Sequence, residues 1–416
     1  MAGNLYTPAA GLLETHVTWT DVQEAIQEAF GEHAILGPNK SLTKIGEGNG
    51  FLSNVAIVSP DWQTDDTEKL PTKFVLKLCT CVNIVRLADT IRERSGAIES
   101  EEKIKTDYQH FADLTKHLHN TEVYAYDLFK KYIKPTESLS ILTPYFQRKF
   151  SEENPLKGFL SFDFVENVYP RHCYHKIEPS DLSEVLRTVA KLQVISLRTT
   201  PVERKHMPNI VPRMYSSALR KEKLDEIFQS FSSLVREEYR HVIQEIKQYA
   251  DELTDLSKLV TITDELGMDP VFVHGDLWAS NVMWKKTENG IEFLKLIDYQ
   301  VAHFGCAAED FIRIFCSSLS GQDFMNCWES LLEEFYTYFM EELGTQKAPY
   351  TLEQLKESYE RLLPQSLIVL LLIIQPIAEA GCKNNKDGED SLEVLQDKIE
   401  AALTSMLKSL KKFYKH

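Results

Sequence analysis

Residues 271–300, VFVHGDLWASNVMWKKTENGIEFLKLIDYQ, set a run of strand- and turn-forming sequence inside a C-terminal half that otherwise reads as helix. VFV is a short apolar strand, HGDLWASN a polar loop, and the segments flanking Asn289-Gly290 alternate apolar and polar residues as hairpin strands do. That dipeptide predicts a two-residue turn with Glu288 facing Ile291. Carried down the ladder, the register sets Asn281 directly across from Asp298, with backbones about 5 Å apart. A β-bulge in either strand would shift it.

A neutral amide oxygen and one carboxylate make a poor all-protein metal cage. They suit Mg²⁺, which keeps waters and takes further ligands from substrate phosphates, so Asn281 and Asp298 point to nucleotide chemistry. Asp276, five residues before Asn281, lies on the approach to the same place, where a carboxylate accepts the proton of a hydroxyl attacking a γ-phosphate. Taken singly, Asp276 reads as a turn residue, and Asn281 and Asp298 as strand ends. Their joint spacing favours function. His274 reads as a loop brace rather than a base, and Asp310, in CAAEDFIRIF, as a helix cap that also braces the loop.

The N-terminal part supplies complementary features. SLTKIGEGNGFLSNVAIVS at 41–59 gives a strand, a glycine-rich break and a second strand; a polar turn follows, then the strand KFVLKLCT, as in an antiparallel meander. Gly46, Gly48, Asn49 and Gly50 would let backbone N–H groups approach phosphates. The P-loop pattern is absent, and a plain glycine-rich hairpin reads equally well. Lys77 lies in the otherwise apolar FVLKL, where an ammonium needs a partner. ATP phosphates and a helix glutamate would supply two, and Glu122, on a long helix expected over about 108–133, is the candidate. Its apolar stripe reads as Phe111, Leu114, Leu118, Tyr124, Leu128 and Tyr132. A strand pair, SILTPYFQRKF and GFLSFDFVEN, precedes a helix that Ser180 or Asp181 can cap. Long helices are expected at 215–255, 322–343, 352–380 and 391–414. The fold class is α+β: a sheet-rich N-terminal lobe, 1–167, and a larger helical C-terminal lobe, 168–416.

Composition narrows the function. Sixty-two acidic against 46 basic residues give a formal charge of −16, which repels a phosphate backbone and argues against nucleic-acid binding. Seven cysteines without a repeating spacing read as free thiols in a reducing compartment. The N-terminus lacks the basic and apolar regions of a signal peptide, and LIVLLLII at 367–374 is too short to span a bilayer. A cytoplasmic protein without a membrane span is expected.

Together, VFVHGDLWASN, LIDYQ, GEGNGF, FVLKL and HNTEVY resemble the CHK-kinase-like, or ecdysteroid-kinase-like, family, a relative of choline kinases and aminoglycoside phosphotransferases. The resemblance covers roughly residues 40–380, and its most specific parts are HGDLWASN and IDYQ. It implies a protein-kinase-like two-lobed fold and transfer of the ATP γ-phosphate to the hydroxyl of a small-molecule alcohol, such as a steroid or xenobiotic-like metabolite. It makes Asp276 the catalytic base, Asn281 and Asp298 the Mg²⁺ ligands, and Lys77 with Glu122 the phosphate-positioning pair. FDFVEN at 162–167, with Asp163, would line the adenine. HGD stands where protein kinases have HRD, IDYQ replaces DFG, and the short distance from Asp298 to Asp310 leaves little room for an activation loop, which disfavours a peptide substrate. Two alternatives stay open: a choline- or ethanolamine-type kinase, to which Trp278 would offer an aromatic face, and a catalytically silent kinase-like binding protein.

Overall fold

The computed structural model describes residues 3–46, 52–64, 68–95, 99–288, 290–381 and 391–414. Gly48, Asn49, Gly50 and Asn289 lie outside the described residues. The chain divides into two compact units, residues 1–130 with 142–166, and residues 131–141 with 167–416. The division expected at 167/168 did not foresee that residues 131–141 belong with the second unit.

The first unit is built on a five-stranded antiparallel sheet. Its strands are β1 (Ser41–Ile45), β2 (Ser53–Ser59), β3 (Phe74–Cys79), β4 (Pro144–Arg148) and β5 (Phe159–Asp163), in the order β1-β2-β3-β5-β4. β1 to β3 form the expected meander, and β5 with β4 extends it past β3. Strand alternation sends Phe74, Leu76 and Leu78 of the central strand into a core with Val22 and Ile26 of helix α1 (Trp19–Phe30). Val75 and Lys77 therefore point to the other face.

Helix α2 (Val82–Ser95), which the sequence reading did not anticipate, precedes α3 (Glu101–Tyr132), which covers that second face. Tyr126 of α3 meets Phe162 of β5, the partner of Val75, with ring centroids 5.3 Å apart. The buried stripe of α3 runs through Thr115, Leu118, His119, Glu122, Tyr126 and Phe129. The stripe expected from apolar residues was rotated from this one, because Thr115, His119 and Glu122 are polar yet buried, and Phe111, Leu114, Tyr124 and Tyr132 are only half-buried.

The second unit is mostly helical. Pro179 opens a short 3₁₀ turn, Pro179–Leu182, and α4 (Ser183–Ser196) follows it. The expected cap is not formed: Ser180 and Asp181 sit inside that turn, and no side chain caps α4. After α5 (Pro201–Arg204) and α6 (Val211–Tyr215), the long helix expected at 215–255 is instead broken into α7 (Lys221–Leu234), α8 (Arg240–Ile246) and α9 (Ala250–Thr254), and α10 (Lys258–Leu266) follows. β6 (Val271–Val273) pairs antiparallel with β9 (His303–Gly305), and between them β7 (Val282–Thr287) and β8 (Gly290–Leu296) form a hairpin. The amide of Leu296 donates to the carbonyl of Ser140, which ties residues 131–141 to this hairpin. α11 (Ala308–Ser318), α12 (Gly321–Leu343), α13 (Leu352–Gly381) and α14 (Ser391–Phe413) complete the unit. LIVLLLII lies in α13, and no helix among the described residues is long and apolar enough to cross a membrane.

Candidate active site

The hairpin corrects the expected register. Lys286, not Glu288, faces Ile291, and Thr287 pairs with Gly290, so Gly290 opens β8 instead of forming the turn. A bulge then leaves Leu294 as an extra residue between the pairs Met283–Lys295 and Trp284–Phe293. The two shifts only partly cancel. The carbonyl of Asn281 accepts from the amide of Ile297 at 3.1 Å, so Asn281 faces Ile297 and Asp298 stands one residue further on. In a continuing strand this offset would turn Asp298 to the opposite face. Asp298 instead has φ +69°, in the left-handed region, and the strand's alternation ends there.

The loop between β6 and β7 is held by its own polar groups. Asn281 Nδ2 donates to the carbonyl of Asp276 at 2.8 Å and to Asp276 Oδ2 at 3.0 Å. These two bonds fix the orientation of the amide, because only its nitrogen can donate, and its oxygen is the atom turned to a further partner. Asp276 is half-buried. The His274 ring is buried; Nε2 lies 3.0 Å from the Ile297 carbonyl, which can only accept, so Nε2 carries the proton and Nδ1 accepts from the Asp276 amide at 3.3 Å. Burial pushes the His274 imidazole down to about 4, against the opposing pull of Asp298, so the ring is neutral. A neutral ring with both nitrogens engaged acts here as a brace.

A second brace comes from α11. Asp310 Oδ2 accepts the His274 amide at 2.8 Å and Oδ1 the Gly275 amide at 2.9 Å. Asp310 is not the expected helix cap, because α11 already starts at Ala308 and both carboxylate oxygens are turned to the loop. Burial pushes its carboxyl up to about 6, with the two amides holding it lower than burial alone would. About two turns on, Ser317 Oγ accepts the Ala279 amide at 3.0 Å. Gly275 between these contacts has φ +76°, and a Cβ there would lie 2.3 Å from the Val301 carbonyl oxygen. Only glycine fits that position. Sequence reasoning missed Ser317, whose only signal is its seven-residue spacing from Asp310 on one helix face.

In the first unit, Lys77 Nζ and Glu122 Oε2 are 2.6 Å apart, with side chains 13% and 2% exposed. The positive charge of Lys77 also acts on neighbouring His119, which burial above all pushes down to about 4. Gly46 has φ +68° at the end of β1, with nothing within 4 Å of where a Cβ would stand. Asp163 closes β5 opposite Phe74; its exposed carboxylate accepts from Tyr145 Oη at 3.0 Å. Burial and that carboxylate push the Tyr145 phenol up to about 12. The structure thus joins Lys77 to Glu122 and Asp276 to Asn281, while Asp163 makes its described contact with Tyr145.

Asn281 and Asp298 carry the hard oxygen donors that Mg²⁺ prefers. Asn281 Oδ1 and the Asp298 carboxylate are oxygen donors, too few to saturate the ion, and they leave positions for water and phosphate.

Residues 5–415 match the model of the family DUF1679, described as "Uncharacterized oxidoreductase dhs-27". The chain belongs to the DUF1679 family. This DUF1679 protein is 29% identical over 206 residues to the "Uncharacterized kinase-like protein D1044.1" of Caenorhabditis elegans, across 49% of this chain and 52% of that protein. The match thus spans about half the length of this curated relative. Among solved structures, the chain is similar to choline kinase from Cryptosporidium parvum Iowa II, at 15% identity and a TM-score of 0.46, covering 90% of this chain and 88% of that one. It is also similar to Plasmodium vivax ethanolamine kinase, at 10% identity and a TM-score of 0.39, covering 89% and 83%. The GDP complex of wild-type aminoglycoside 2'-phosphotransferase-IIIa is matched at 11% identity and a TM-score of 0.44, covering 92% and 98%. The family match and its kinase-like relative agree with the resemblance read from the sequence motifs. The family's description names an oxidoreductase, and among the described residues the surroundings of Gly46 show no dinucleotide fingerprint. A dinucleotide fingerprint needs a strand running through its glycines into a helix of a parallel unit, and Gly46 stands between two antiparallel strands.

Proposed function

We propose that this DUF1679 protein is an ATP- and Mg²⁺-dependent phosphotransferase acting on the hydroxyl of a small-molecule alcohol, of a steroid or xenobiotic-like kind. The observation that supports the reading is the pair of hydrogen bonds from Asn281 Nδ2 to the Asp276 carbonyl and carboxylate, which orders that carboxylate and leaves the amide oxygen of Asn281 for a cation. In this reading Asp276 orients the acceptor hydroxyl and takes its proton as the oxygen attacks the γ-phosphorus. Asn281 and Asp298 hold Mg²⁺, which would neutralise phosphate charge when bound. Lys77, kept in place by Glu122, steadies the α- and β-phosphates, and Gly46 and Asp163 border the nucleotide. Little covalent work falls to the protein: positioning and charge neutralisation supply the rate.

The test is Asp276→Asn. The variant should lose phosphoryl transfer by at least about a hundredfold while binding Mg-ATP as the parent does, measured by ADP release across a library of alcohols and by nucleotide titration. Unchanged turnover would remove Asp276 as the base. ATP binding without ADP release for any alcohol, in the parent protein, would favour a silent binding protein instead.

A further inference from the structure

Arg313 is 5% exposed, and among the described residues no carboxylate lies within ion-pair distance of its guanidinium and no acceptor bonds it. A buried cation without a partner is costly, so its persistence needs a reason. Its position supplies one. On α11, Asp310 holds the amides of His274 and Gly275, and Ser317 holds the amide of Ala279. Arg313 lies between them on the same helix face, level with the stretch that carries Asp276. Its charge acts on His274 and on Tyr215 of α6, and the charge of Asp276 acts on the same Tyr215. Tyr215 makes no hydrogen bond to a described residue through its hydroxyl. In the same loop, the indole N–H of Trp278 is buried without an acceptor.

We propose that Arg313, with the hydroxyl of Tyr215, forms an oxyanion-binding subsite beside Asp276. This rests on the phosphotransferase reading for its role and on burial and geometry for its existence. The anion has two possible sources, a carboxylate or phosphate carried by the acceptor alcohol, or the phosphoryl group in transfer. Either gives the guanidinium the paired, planar recognition that it lacks here. A cationic amino-alcohol would be repelled from the same place.

The first arm of the test needs no catalysis. Thermal midpoints of the full-length parent, Arg313→Gln and Arg313→Lys are measured without nucleotide, in inorganic phosphate and in chloride of matched ionic strength. Arg313→Gln should start at or above the parent in chloride, because an unpaired buried charge has gone, and should lack the phosphate-dependent rise of the parent; Arg313→Lys should keep part of it. A lower midpoint for Arg313→Gln in chloride, or an equal phosphate response in parent and variant, overturns the subsite. The second arm compares turnover with hydroxy-carboxylates, uncharged alcohols of the same length and water. If the acceptor brings the anion, Arg313→Gln raises the KM ratio of hydroxy-carboxylate to uncharged alcohol by about tenfold or more. If the phosphoryl group is the anion, kcat falls in the same proportion for every acceptor, water included. A parent protein that turns over no acceptor sinks the phosphotransferase reading, while the thermal arm still decides the subsite.

Discussion

The Lys77–Glu122 pair allows stability and function to be separated by three variants. Glu122 is 2% exposed and its partner is 2.6 Å away. Lys77→Met strands a carboxylate inside the first unit, and breaking a buried pair in this way costs about 3–5 kcal/mol. At roughly 2–4 °C per kcal/mol for a unit of this size, the melting midpoint should fall by roughly 6–20 °C. The penalty should be larger at pH 8 than at pH 5, since the stranded carboxylate can protonate at the lower pH. Glu122→Gln should cost less, because Lys77 is 13% exposed and its ammonium can reach water. The double variant Lys77→Met/Glu122→Leu removes both charges and should recover most of the lost stability, as apolar replacement of buried pairs commonly does. Function should not recover with it: with Lys77 gone, the affinity for a fluorescent ATP analogue should drop by about tenfold or more. Thermal melts, nucleotide titration and ADP release on the four proteins suffice. A stable double variant with parental ATP affinity would refute the assignment of Lys77 to phosphate, and a Lys77→Met protein as stable as the parent would refute the energetics.

Three further outcomes follow from the loop. Asp310→Asn keeps one acceptor but turns an NH₂ group toward a backbone N–H, so it should cost about 1–3 kcal/mol in denaturant unfolding and lower kcat by slackening the loop. Gly275→Ala forces a Cβ to within 2.3 Å of the Val301 oxygen at φ +76°, and should cost about 2 kcal/mol or more, or give no soluble protein. His274, held down to about 4 from its usual 6.5, contributes stability that is full above pH 6.5 and lost as pH falls toward 4, a loss of roughly 3 kcal/mol. Asp310, pushed up to about 6, works in the opposite sense over nearly the same window, gaining stability as pH falls from 6 toward 4. The parent's stability should therefore be flatter with pH than either group alone dictates, and His274→Gln should expose the Asp310 trend by becoming relatively more stable as the pH is lowered.

The meander, the buried Lys77 and the carboxylate-bearing loop were legible because each rests on local pattern. Alternation places Lys77 on the α3 face of β3, and a lysine in an apolar strand announces the need for a partner. The hairpin register was less legible, because Asn-Gly is a strong turn signal in isolation, yet Gly290 pairs with Thr287 and Leu294 adds a bulge. Neither shift has a sequence mark that outweighs the dipeptide. The stripe of α3 misled for a related reason: Thr115, His119 and Glu122 are polar side chains on the buried face, and a period of apolar residues cannot count them. Arg313 was hidden in a helix that is buried on every side, where no polar face exists to stand out.

The site holds its shape without a strand ladder through it. β6 is three residues long and pairs only with the three residues of β9, so sheet hydrogen bonds end before Gly275. From there to Asn281 the backbone departs from strand geometry, and it needs acceptors from elsewhere for its amides. α11 provides them through Asp310 and Ser317, His274 links the loop to Ile297, and Asn281 closes it onto Asp276. Side chains, not strand pairing, set the position of Asp276, and each can be removed one at a time. The Asp276–Asn281 bonds are the most local of these, and one of them is made by the candidate catalytic carboxylate itself. Loosening α11 should therefore disturb the placement of Asp276 before it disturbs the Asn281 contact, and in Asp310→Asn the proton-transfer step should suffer more than Mg²⁺ affinity.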